Sequence, residues 1–304
     1  MNSPVRGKSL VEYMNQKNIL ITGANGQLGN CLRDLAEGYK DRYCFFFTDV
    51  EELDITDEAA IEQFVSGHDI DAIVNAAAYT AVDKAEDEVE IAFRINRDAV
   101  ALLAAAAQRH NCHLVHISTD YVFSGEACHP YPVDAPVAPK SVYGRTKAES
   151  EKAIRESGCS ATIIRTSWLY SEYGHNFVKT MLKLGDEREE VTVVCDQVGG
   201  PTYAGDLASA VMRVLETGIG KPGLTIYHYA NEGTASWFDF AKAIMEMGGK
   251  KCRVSAIFSS QYPAKASRPA YSVFDLSKTK KELEISIPYW RESLKLTINK
   301  LQRN

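Results

Sequence analysis

The chain has no long hydrophobic segment and no excess of basic residues. No apolar run approaches the roughly 18 residues that a membrane-spanning helix needs. The formal net charge is -6 and the pI is near 5.7, whereas general binders of nucleic acid or anionic membranes carry a basic surface. The composition therefore argues against a membrane protein or a general nucleic-acid binder. With 45% hydrophobic and 24% charged residues, it is ordinary for a globular enzyme.

The chain also lacks any regular spacing of its cysteines. The seven cysteines are scattered, odd in number and never spaced as Cys-x-x-Cys, which argues against a disulfide framework or a zinc cluster and fits a reducing compartment. Residues 1–16 contain no continuous hydrophobic segment, so they do not resemble a signal peptide. We therefore expect a cytoplasmic protein in which residues 1–16 form an N-terminal extension.

A glycine-rich turn follows the first apolar segment. Strand, glycine turn and helix are the context that a dinucleotide site requires. The spacing here is G-x-x-G-x-x-G rather than G-x-G-x-x-G. Gly23 permits the tight turn, Gly26 lets the pyrophosphate approach the backbone, and Gly29 lets the helix pack close to the strand. We predict that a nucleotide cofactor contacts Gly23, Asn25, Gly26, Gln27, Leu28 and Gly29.

Tyr143 and Lys147 are four residues apart in a segment with a helical pattern, so both side chains leave the same face of a helix. Because a lysine ammonium stabilises a nearby phenolate, we expect the pKa of Tyr143 to fall from about 10 toward neutrality. Such a phenol can pass a proton to a carbonyl oxygen as hydride reaches the carbon. Taken alone, this spacing is more typical of a surface pair on an amphipathic helix, and the glycine turn gives it weight.

Strand-like and helical segments alternate through the first two-thirds of the chain. This alternation is typical of a parallel sheet covered by helices on both faces. We predict an α/β fold: a Rossmann-type doubly wound parallel sheet with a smaller C-terminal substrate-binding lobe. The predicted strands are residues 18–22, 44–48, 72–76, 113–118, 162–166 and 191–195. The predicted helices are residues 27–36, 57–65, 89–109, 142–157, 175–184 and 205–217.

The pattern changes near residue 223. A strand at 225–229, a helix at 236–247, a strand at 253–258 and a terminal helix at 288–302 are predicted there. We interpret this part as the smaller lobe. The predicted division assigns residues 17–168 and 191–222 to an NAD(P)-binding Rossmann domain and residues 169–190 and 223–304 to the substrate-binding lobe.

Further motifs follow the glycine turn along the chain. They are Leu53 to Asp57, Asn75 to Asp83, Ser118-Thr119-Asp120-Tyr121-Val122-Phe123, Tyr143 to Lys147, Arg165 to Trp168, Asp196-Gln197, Gly200-Pro201-Thr202 and Arg268-Pro269. Together they resemble the extended short-chain dehydrogenase/reductase superfamily and, within it, the dTDP-4-dehydrorhamnose reductase family. The resemblance runs from about Lys17 to the C-terminus. The Ser-Thr-Asp-Tyr-Val-Phe block and Trp168 are more specific to the reductases than the glycine turn is.

Three positions depart from the family pattern. Ser124 and Ser150 replace an acidic residue and a glycine that relatives usually have, and neither is a group that the chemistry needs. Some members are described as holding magnesium through carboxylates at a dimer interface. The position that we match to one such ligand is Cys31, a softer group better suited to other metals. We therefore predict no required metal.

The resemblance implies a role for each catalytic group. Tyr143 is expected to be the general acid toward the C4 carbonyl of a ketosugar, and Lys147 to lower its pKa and hydrogen-bond the nicotinamide ribose. Thr119 matches the hydroxyl donor that the family places at the end of the fourth strand, where it polarises the same carbonyl by an oxyanion-type contribution of about 3 kcal/mol. Ser118 stays open as the alternative donor.

The resemblance also implies a substrate-binding set, which comprises Thr119, Asp120, Tyr121, Trp168 and Arg268. Asp120 would otherwise be an Asx-turn acceptor, and Trp168, expected to stack on the sugar, would otherwise be core. Arg268 is a candidate for the substrate pyrophosphate because of its fork geometry, with a solvated loop arginine as the alternative. Asn96 is interpreted equally well as a residue that anchors a water or bends the long helix, or as a surface residue. His116 is interpreted as a satisfied core residue rather than a catalyst.

Asp49 follows the second strand, where an acidic group contacts the ribose 2′-hydroxyl of a dinucleotide. A carboxylate there repels a 2′-phosphate, so NADH should be usable, although the family is often assigned NADPH. The cofactor is thus predicted to be NADPH or NADH. Asp54 and Ile55 are expected to line the adenine, and Ala76, Ala77 and Ala78 to lie where backbone approaches the cofactor.

The function that the resemblance implies is NAD(P)H-dependent reduction of dTDP-4-dehydro-L-rhamnose to dTDP-L-rhamnose. The partner is then a small-molecule nucleotide sugar, with a possible homodimer. Two alternatives stay open. One is another sugar-nucleotide epimerase or ketoreductase. The other is a non-catalytic regulatory subunit resembling the methionine adenosyltransferase beta subunit, against which the presence of Tyr143, Lys147 and Thr119 weighs.

Overall fold

The structure is a computed structural model that describes residues 16–303 of the 304-residue chain. The predicted N-terminal extension therefore lies outside the described residues, except for Gln16. Among residues 16–303, no helix is both long enough and apolar enough to cross a bilayer.

The described residues form strands of two to seven residues. In chain order they are β1 (Lys17–Thr22), β2 (Tyr43–Thr48), β3 (Ala72–Asn75), β4 (His113–Thr119), β5 (Ala161–Thr166), β6 (Leu169–Tyr170), β7 (Glu190–Val194), β8 (Val198–Gly199), β9 (Thr202–Tyr203), β10 (Leu224–Tyr229), β11 (Ala235–Ser236) and β12 (Arg253–Ile257).

Helices separate most of these strands. They are α1 (Gln27–Ala36), α2 (Glu58–Gly67), α3 (Val82–Ala85), α4 (Val89–Phe93), α5 (Ala99–Arg109), α6 (Val142–Ser157), α7 (Phe177–Glu187), α8 (Ala204–Gly218), α9 (Trp237–Met247), α10 (Ser277–Leu283) and α11 (Trp290–Arg303). A π-helical segment, Arg94–Asp98, joins α4 to α5, so the single helix predicted for 89–109 has an irregular turn.

Six strands form one central sheet in the order β10-β5-β4-β3-β1-β2. Every neighbouring pair in it is parallel. Strands β3 and β5 are buried along their whole length, as expected when helices cover both faces of a parallel sheet. The predicted Rossmann-type doubly wound fold is confirmed.

Two strands exchange their predicted places. The prediction of 191–195 as a strand of the main sheet is wrong, because β7 pairs with β12 in a separate two-stranded sheet, with Glu190 opposite Arg253. The strand expected in the smaller lobe at 225–229 is β10, which pairs with β5 at the edge of the central sheet. Both are short apolar runs, and periodicity does not tell which partner such a run pairs with.

This exchange bears on the predicted domain division. Pairing favours β10 as part of the cofactor-binding domain and β7 as part of the substrate lobe, so the boundaries of 191–222 and 223–304 would move accordingly. The revised division is a proposal.

The apolar side chains of the central strands alternate between the two faces of the sheet. Ile19 and Ile21 of β1 pack on one face with residues of α1 and α8. Leu20 packs on the other face with residues of α2 and α5. Burying such a side chain completely stabilises the fold by about 1.5–3 kcal/mol. This double burial explains why Ile19, Leu20 and Ile21 of β1 are apolar in succession rather than alternating with polar residues.

A third cluster of buried residues lies among α7, α9 and α11. Tyr170, Phe240 and Trp290 are at its centre. The same cluster contacts Trp168 and Trp237 at its margin. Its packing therefore fixes the helix that carries Trp237 against the segment that follows β5.

Candidate active site

The glycine turn connects β1 to α1 and touches the loop after β3. Gly23 has φ +67°, and a Cβ added to it would lie 2.6 Å from the backbone N of Ala77. A Cβ on Gly29 would lie 2.5 Å from Cα of Ala24. Only glycine permits the first conformation without strain and the close packing at both positions. The roles predicted for these two glycines in the turn and in helix packing agree with this geometry.

A cleft of about 550 Å³ opens at the carboxyl ends of β1, β2 and β3. Most of the predicted cofactor residues line it: Gly23, Gly26, Asp49, Asp54, Ile55, Ala76, Ala77 and Ala78. Six other predicted cofactor residues do not line it: Asn25, Gln27, Leu28, Gly29, Tyr143 and Lys147. Leu28 is a core side chain, and the Gln27 amide oxygen accepts hydrogen bonds from Ser171 and Asn176, both 3.0 Å. If these two residues contact a cofactor, they do so through the backbone at the start of α1.

The sequence did not predict the residues that form the opposite wall of the cleft. Ile91, Arg94 and Ile95 reach it from α4 and the π-helical segment. Arg94 is exposed and donates to the Thr56 hydroxyl at 2.8 Å. Because these residues lie far in sequence from the glycine turn, only the packing of α4 and α5 on the sheet brings them to the site. A positive charge thus faces the end of the cleft that Asp54 and Ile55 line.

Asp49 links the end of β2 to the glycine turn. One carboxylate oxygen accepts from the backbone N–H of Asn25 at 3.0 Å, and the other accepts from that of Val50 at 2.9 Å. Two backbone donors hold the carboxylate at the mouth of the cleft, where an incoming ribose hydroxyl could share it.

The helix that carries Tyr143 and Lys147 is held close to the end of β4. Ser141 caps α6 by accepting from the backbone N–H of Gly144 at 3.1 Å. A Cβ at Gly144 would lie 2.3 Å from the carbonyl oxygen of Tyr121. This close approach brings the Tyr121 ring against that of Tyr143, 5.5 Å between centroids at 76°.

The electrostatics of the pair differ from the prediction. Burial raises the pKa of Tyr143 to about 12, which a hydrogen bond with Thr119 opposes and the charge of Asp120 reinforces. Burial also lowers the pKa of Lys147 to about 7, although the charge of Glu151 raises it. The prediction that the pKa of Tyr143 falls toward neutrality is therefore wrong. Burial favours the uncharged forms of both Tyr143 and Lys147, and this effect is larger than the attraction between a phenolate and an ammonium.

The two hydroxyls at the end of β4 have different partners. Thr119 donates to Asp120 Oδ1 at 3.0 Å, and its oxygen accepts from the backbone N–H of Tyr121 at 3.3 Å. Ser118 donates to Glu151 Oε1 at 2.6 Å, inside the protein. Because successive side chains of a strand point to opposite faces, only Thr119 reaches Tyr143. The geometry favours Thr119 over Ser118 as the second donor.

Asp120 is almost completely buried beside this hydroxyl. Burial raises its pKa to about 6, while hydrogen bonds with Ser272 and Thr119 act in the opposite direction. It begins a short 3₁₀ turn, Asp120–Val122, whose cap is the Thr119 side chain. Backbone hydrogen bonds from Asp120 and Tyr121 also act on the Asp120 carboxyl, so its role as a local turn acceptor and its role toward the substrate both stay predictions.

Trp168 follows β5 with a left-handed backbone, φ +48°. Its ring stacks face to face on Trp237, 3.6 Å between centroids at 7°. A Cβ on Gly199 would lie 2.8 Å from Nε1 of Trp168. The sequence did not distinguish Trp237 from an ordinary core residue of an amphipathic helix. One face of the predicted sugar-stacking ring is therefore covered by the protein itself.

Arg268 forms a bidentate ion pair with Asp83, with nitrogen–oxygen distances of 2.6 and 3.1 Å. The hydrogen bond with Asp83 also raises the pKa of the arginine. A substrate pyrophosphate would compete with this carboxylate. The solvated-loop alternative does not describe the residue, and its predicted pyrophosphate contact stays a prediction.

Asn96 is an interior residue, so its interpretation as a surface residue is wrong, and its predicted role in anchoring a water stays a prediction. It is buried in the π-helical segment, where Oδ1 accepts from the backbone N–H of Tyr79 at 2.8 Å. Its Nδ2 donates to the Tyr79 carbonyl at 2.9 Å and to Thr146 Oγ1 at 3.0 Å. These bonds attach the loop after β3 to the helix that carries Tyr143.

No group of three or more histidine, cysteine, aspartate or glutamate side chains within residues 16–303 could hold a metal ion. Cys31, the position matched to a magnesium ligand, is buried, and burial raises the pKa of its thiol to about 12. The absence of a required metal stays a prediction.

Residues 17–303 match the family model described as RmlD substrate binding domain. The chain belongs to this family. A dTDP-4-dehydrorhamnose reductase of Aggregatibacter actinomycetemcomitans is 42% identical over 285 residues, which are 91% of this chain and 97% of the relative.

Two solved structures show the same fold. The dTDP-4-dehydrorhamnose reductase of Clostridium acetobutylicum has a TM-score of 0.89 at 40% identity and covers 94% of this chain and 99% of its own. That of Bacillus anthracis, crystallised in complex with NADP, has a TM-score of 0.89 at 38% identity with the same coverage. The predicted resemblance is confirmed, and so is the prediction of a nicotinamide-dependent oxidoreductase. The roles of individual side chains remain predictions.

Proposed function

We propose that this protein reduces the C4 ketone of dTDP-4-dehydro-L-rhamnose to dTDP-L-rhamnose with NADPH or NADH, and that Tyr143 donates the proton. The observation that carries the proposal is the meeting of Tyr143 and Thr119 at the carboxyl end of β4, on the sheet edge where the glycine-turn cleft opens. The family names of the relatives support the substrate class, a small nucleotide sugar.

The cleft residues fit a dinucleotide. Gly23 and Gly26 would accommodate the pyrophosphate, Asp49 a ribose hydroxyl, and Asp54 with Ile55 the adenine. When bound, the cofactor supplies the hydride. Asp49 favours a free 2′-hydroxyl, whereas the nearby Arg94 offers a partner for a 2′-phosphate, so both cofactors are proposed.

The raised pKa of Tyr143 suits a proton donor. At neutral pH the phenol holds its proton and can give it to an oxygen that becomes negative. Thr119 hydrogen-bonds the same oxygen and thereby stabilises the developing charge. Lys147, whose pKa lies near 7, can restore a proton to the tyrosine after turnover.

The remaining residues are proposed to hold the sugar nucleotide. Asp120 and Tyr121 follow Thr119 directly, and the free side of Trp168 would bound the sugar, while Arg268 would exchange Asp83 for the pyrophosphate. A homodimer, which the sequence leaves open, remains part of the proposal.

A spectrophotometric assay tests the reaction. Purified protein should oxidise NADPH or NADH only when the 4-ketosugar nucleotide is present. Tyr143→Phe should reduce kcat by at least about a hundredfold with cofactor affinity nearly unchanged. Tyr121→Phe, the same change on the neighbouring ring, is the matched control and should mainly raise KM.

Other outcomes would favour the alternatives. Tightly bound NAD with no net consumption of cofactor indicates an epimerase, and a stoichiometric partner enzyme without reductase activity indicates a regulatory subunit. A fully active Tyr143→Phe protein would remove the acid assignment.

A further inference from the structure

A chain of buried polar side chains leads from the end of β1 through β3 and β4 to Lys147. Thr22 of β1 donates to Asn75 Oδ1 at 2.8 Å. Asn75 Nδ2 lies 3.1 Å from His116 Nδ1, and His116 Nε2 lies 3.1 Å from Lys147 Nζ. All four residues are buried. The proposed reaction assigns no role to the first three of them.

The orientation of the Asn75 amide is fixed by a backbone donor. Its Oδ1 accepts not only from Thr22 but also from the backbone N–H of Ala77 at 3.1 Å. A backbone N–H can only donate, so the atom that faces it must be the amide oxygen. The amide nitrogen therefore faces His116 and donates to Nδ1.

This amide in turn fixes the tautomer of His116. Burial, together with the nearby Lys147, lowers the pKa of His116 well below its ordinary value, so the ring is neutral and carries one proton. Because Nδ1 accepts from Asn75, that proton is on Nε2. The Ser150 oxygen, 3.1 Å from Nε2, can accept it because the hydroxyl donates to the Lys147 carbonyl at 2.7 Å.

The ring consequently presents an N–H, and no lone pair, toward Nζ of Lys147. A buried ammonium needs acceptors, and this side offers none. Glu151, one turn along α6, attracts a proton to Lys147, but its oxygens are already bonded to Arg165 and Ser118. Tyr143 lies one helical turn before Lys147 on the same face of α6, and the carboxyl of Asp120 acts on Tyr143 at the carboxyl end of β4.

We propose that the uncharged side chains of Asn75 and His116, here called the neutral backstop, give the ammonium of Lys147 no acceptor inside the protein. Protonation of Lys147 is thereby coupled to dinucleotide binding. The hydroxyls and phosphates of a dinucleotide supply the missing acceptors on the cleft side, and the proton comes from solvent. His116 and Asn75 are thus positioning residues. The inference rests on the proposed function only in placing the cofactor beside Lys147.

The tautomer can be measured on the protein alone. Long-range proton–nitrogen correlation spectra of histidine-labelled protein distinguish Nε2–H from Nδ1–H, and the signal of His116 is identified by its loss in His116→Asn or through bonds to its own backbone. We expect the proton on Nε2. A proton on Nδ1, or on both nitrogens, overturns the backstop.

The coupling is measured by calorimetry of NADPH or NADH binding in buffers of different ionisation enthalpy. Near pH 8, above the pKa of about 7 of Lys147, we expect uptake of close to one proton per cofactor bound. Lys147→Met should abolish the uptake. Normal binding without uptake overturns the coupling. A complete lack of cofactor binding would instead count against the proposed function, while the spectra still decide the backstop.

Asn75→Asp is an isosteric change that should move the ring proton of His116 to the other nitrogen. One carboxylate oxygen still accepts from Ala77 and Thr22, and the other accepts from His116, which moves the ring proton to Nδ1. Nε2 then offers a lone pair to the ammonium, so proton uptake should fall to less than half that of the native protein. Ser150→Ala is the matched control and should retain both the tautomer and the uptake. Undiminished uptake in Asn75→Asp overturns the proposal.

Discussion

Ser118 and Thr119, adjacent at the end of β4, provide a matched pair of hydroxyls at the scale of single residues. Thr119 is in hydrogen-bond range of Tyr143, whereas Ser118 donates to Glu151. If Thr119 stabilises the developing negative charge, Thr119→Val should lower kcat by about a hundredfold to a thousandfold, the effect of losing one oxyanion donor. Steady-state kinetics of the purified variant measure this change.

Ser118→Ala is the control for that experiment. It removes a buried hydrogen bond but leaves Glu151 paired with Arg165, so it should reduce the free energy of unfolding by about 1–3 kcal/mol and preserve most of kcat. Equal losses of kcat in the two variants would mean that the hydroxyl of Thr119 has no special role.

The raised pKa of Asp120 predicts that the stability of the fold depends on pH. Its folded pKa of about 6 exceeds its ordinary value of 3.8, so the native state holds the proton more tightly than the unfolded chain. The carboxyl contributes stability that is fully present below pH 3.8 and is lost as the pH rises through about 6. Relative to the native protein, Asp120→Asn should therefore gain up to about 3 kcal/mol in unfolding free energy between acid and neutral pH.

Urea denaturation at both pH values measures this difference. Asp54→Asn is the control with the opposite sign, because hydrogen bonds from Thr56 lower the pKa of Asp54. Its stabilising contribution is lost as the pH falls. A difference that is independent of pH for Asp120→Asn would show that its carboxyl is not protonated more readily in the folded protein.

At the scale of elements, the contact between α6 and the turn after β4 decides where the phenol lies. Gly144→Ala places a Cβ 2.3 Å from the Tyr121 carbonyl oxygen, so the helix must move away. We expect a loss of about 1–3 kcal/mol in unfolding free energy and a marked fall in kcat, because Tyr143 is the adjacent residue.

Gly67→Ala is the matched change at the end of α2. Apart from its chain neighbours and the backbone of its own helix, no atom lies within 4 Å of the added Cβ, so this variant should be neutral or more stable by about 0.4–1 kcal/mol. Chemical denaturation of both variants gives the comparison. If Gly144→Ala were as stable and as active as Gly67→Ala, the close approach would not be needed to position α6.

Local patterns were sufficient for the parts of the site that one element determines. The glycine turn needs only β1 and the start of α1, and Tyr143 with Lys147 needs only one helix turn. The sequence did not reveal Arg94 or Trp237, because each joins the site through packing of elements far apart in sequence. The pKa of Tyr143 was mispredicted for a related reason: burial depends on every surrounding element, and spacing reports only one neighbour.

For the molecule as a whole, the exchange of β7 and β10 changes how the two parts of the site are connected. β10 belongs to the central sheet and leads through β11 directly into α9. The sheet that forms the cofactor cleft therefore also carries Trp237 to Trp168. Apolar periodicity identified both strands, but membership of a sheet is decided by pairing between distant segments, which the chain order alone does not specify.

This connection predicts that substrate and cofactor binding can be separated. Trp237 stacks on Trp168 but does not line the cleft. Losing an aromatic pair removes about 0.5–1.5 kcal/mol, so Trp237→Leu should raise KM for the sugar nucleotide about threefold to tenfold. Saturating NADPH, at about a hundred times its Kd, should still stabilise the variant by about 2.7 kcal/mol.

Thermal unfolding with and without NADPH, together with steady-state kinetics, measures both effects. Phe258→Leu, on an aromatic residue that is 61% exposed, is the control and should change neither. Should Trp237→Leu lose the NADPH-dependent stabilisation while KM for the sugar stays the same, α9 would belong to the cofactor site. The stacked pair would then hold the fold around the dinucleotide, and Trp168 would not bound the sugar.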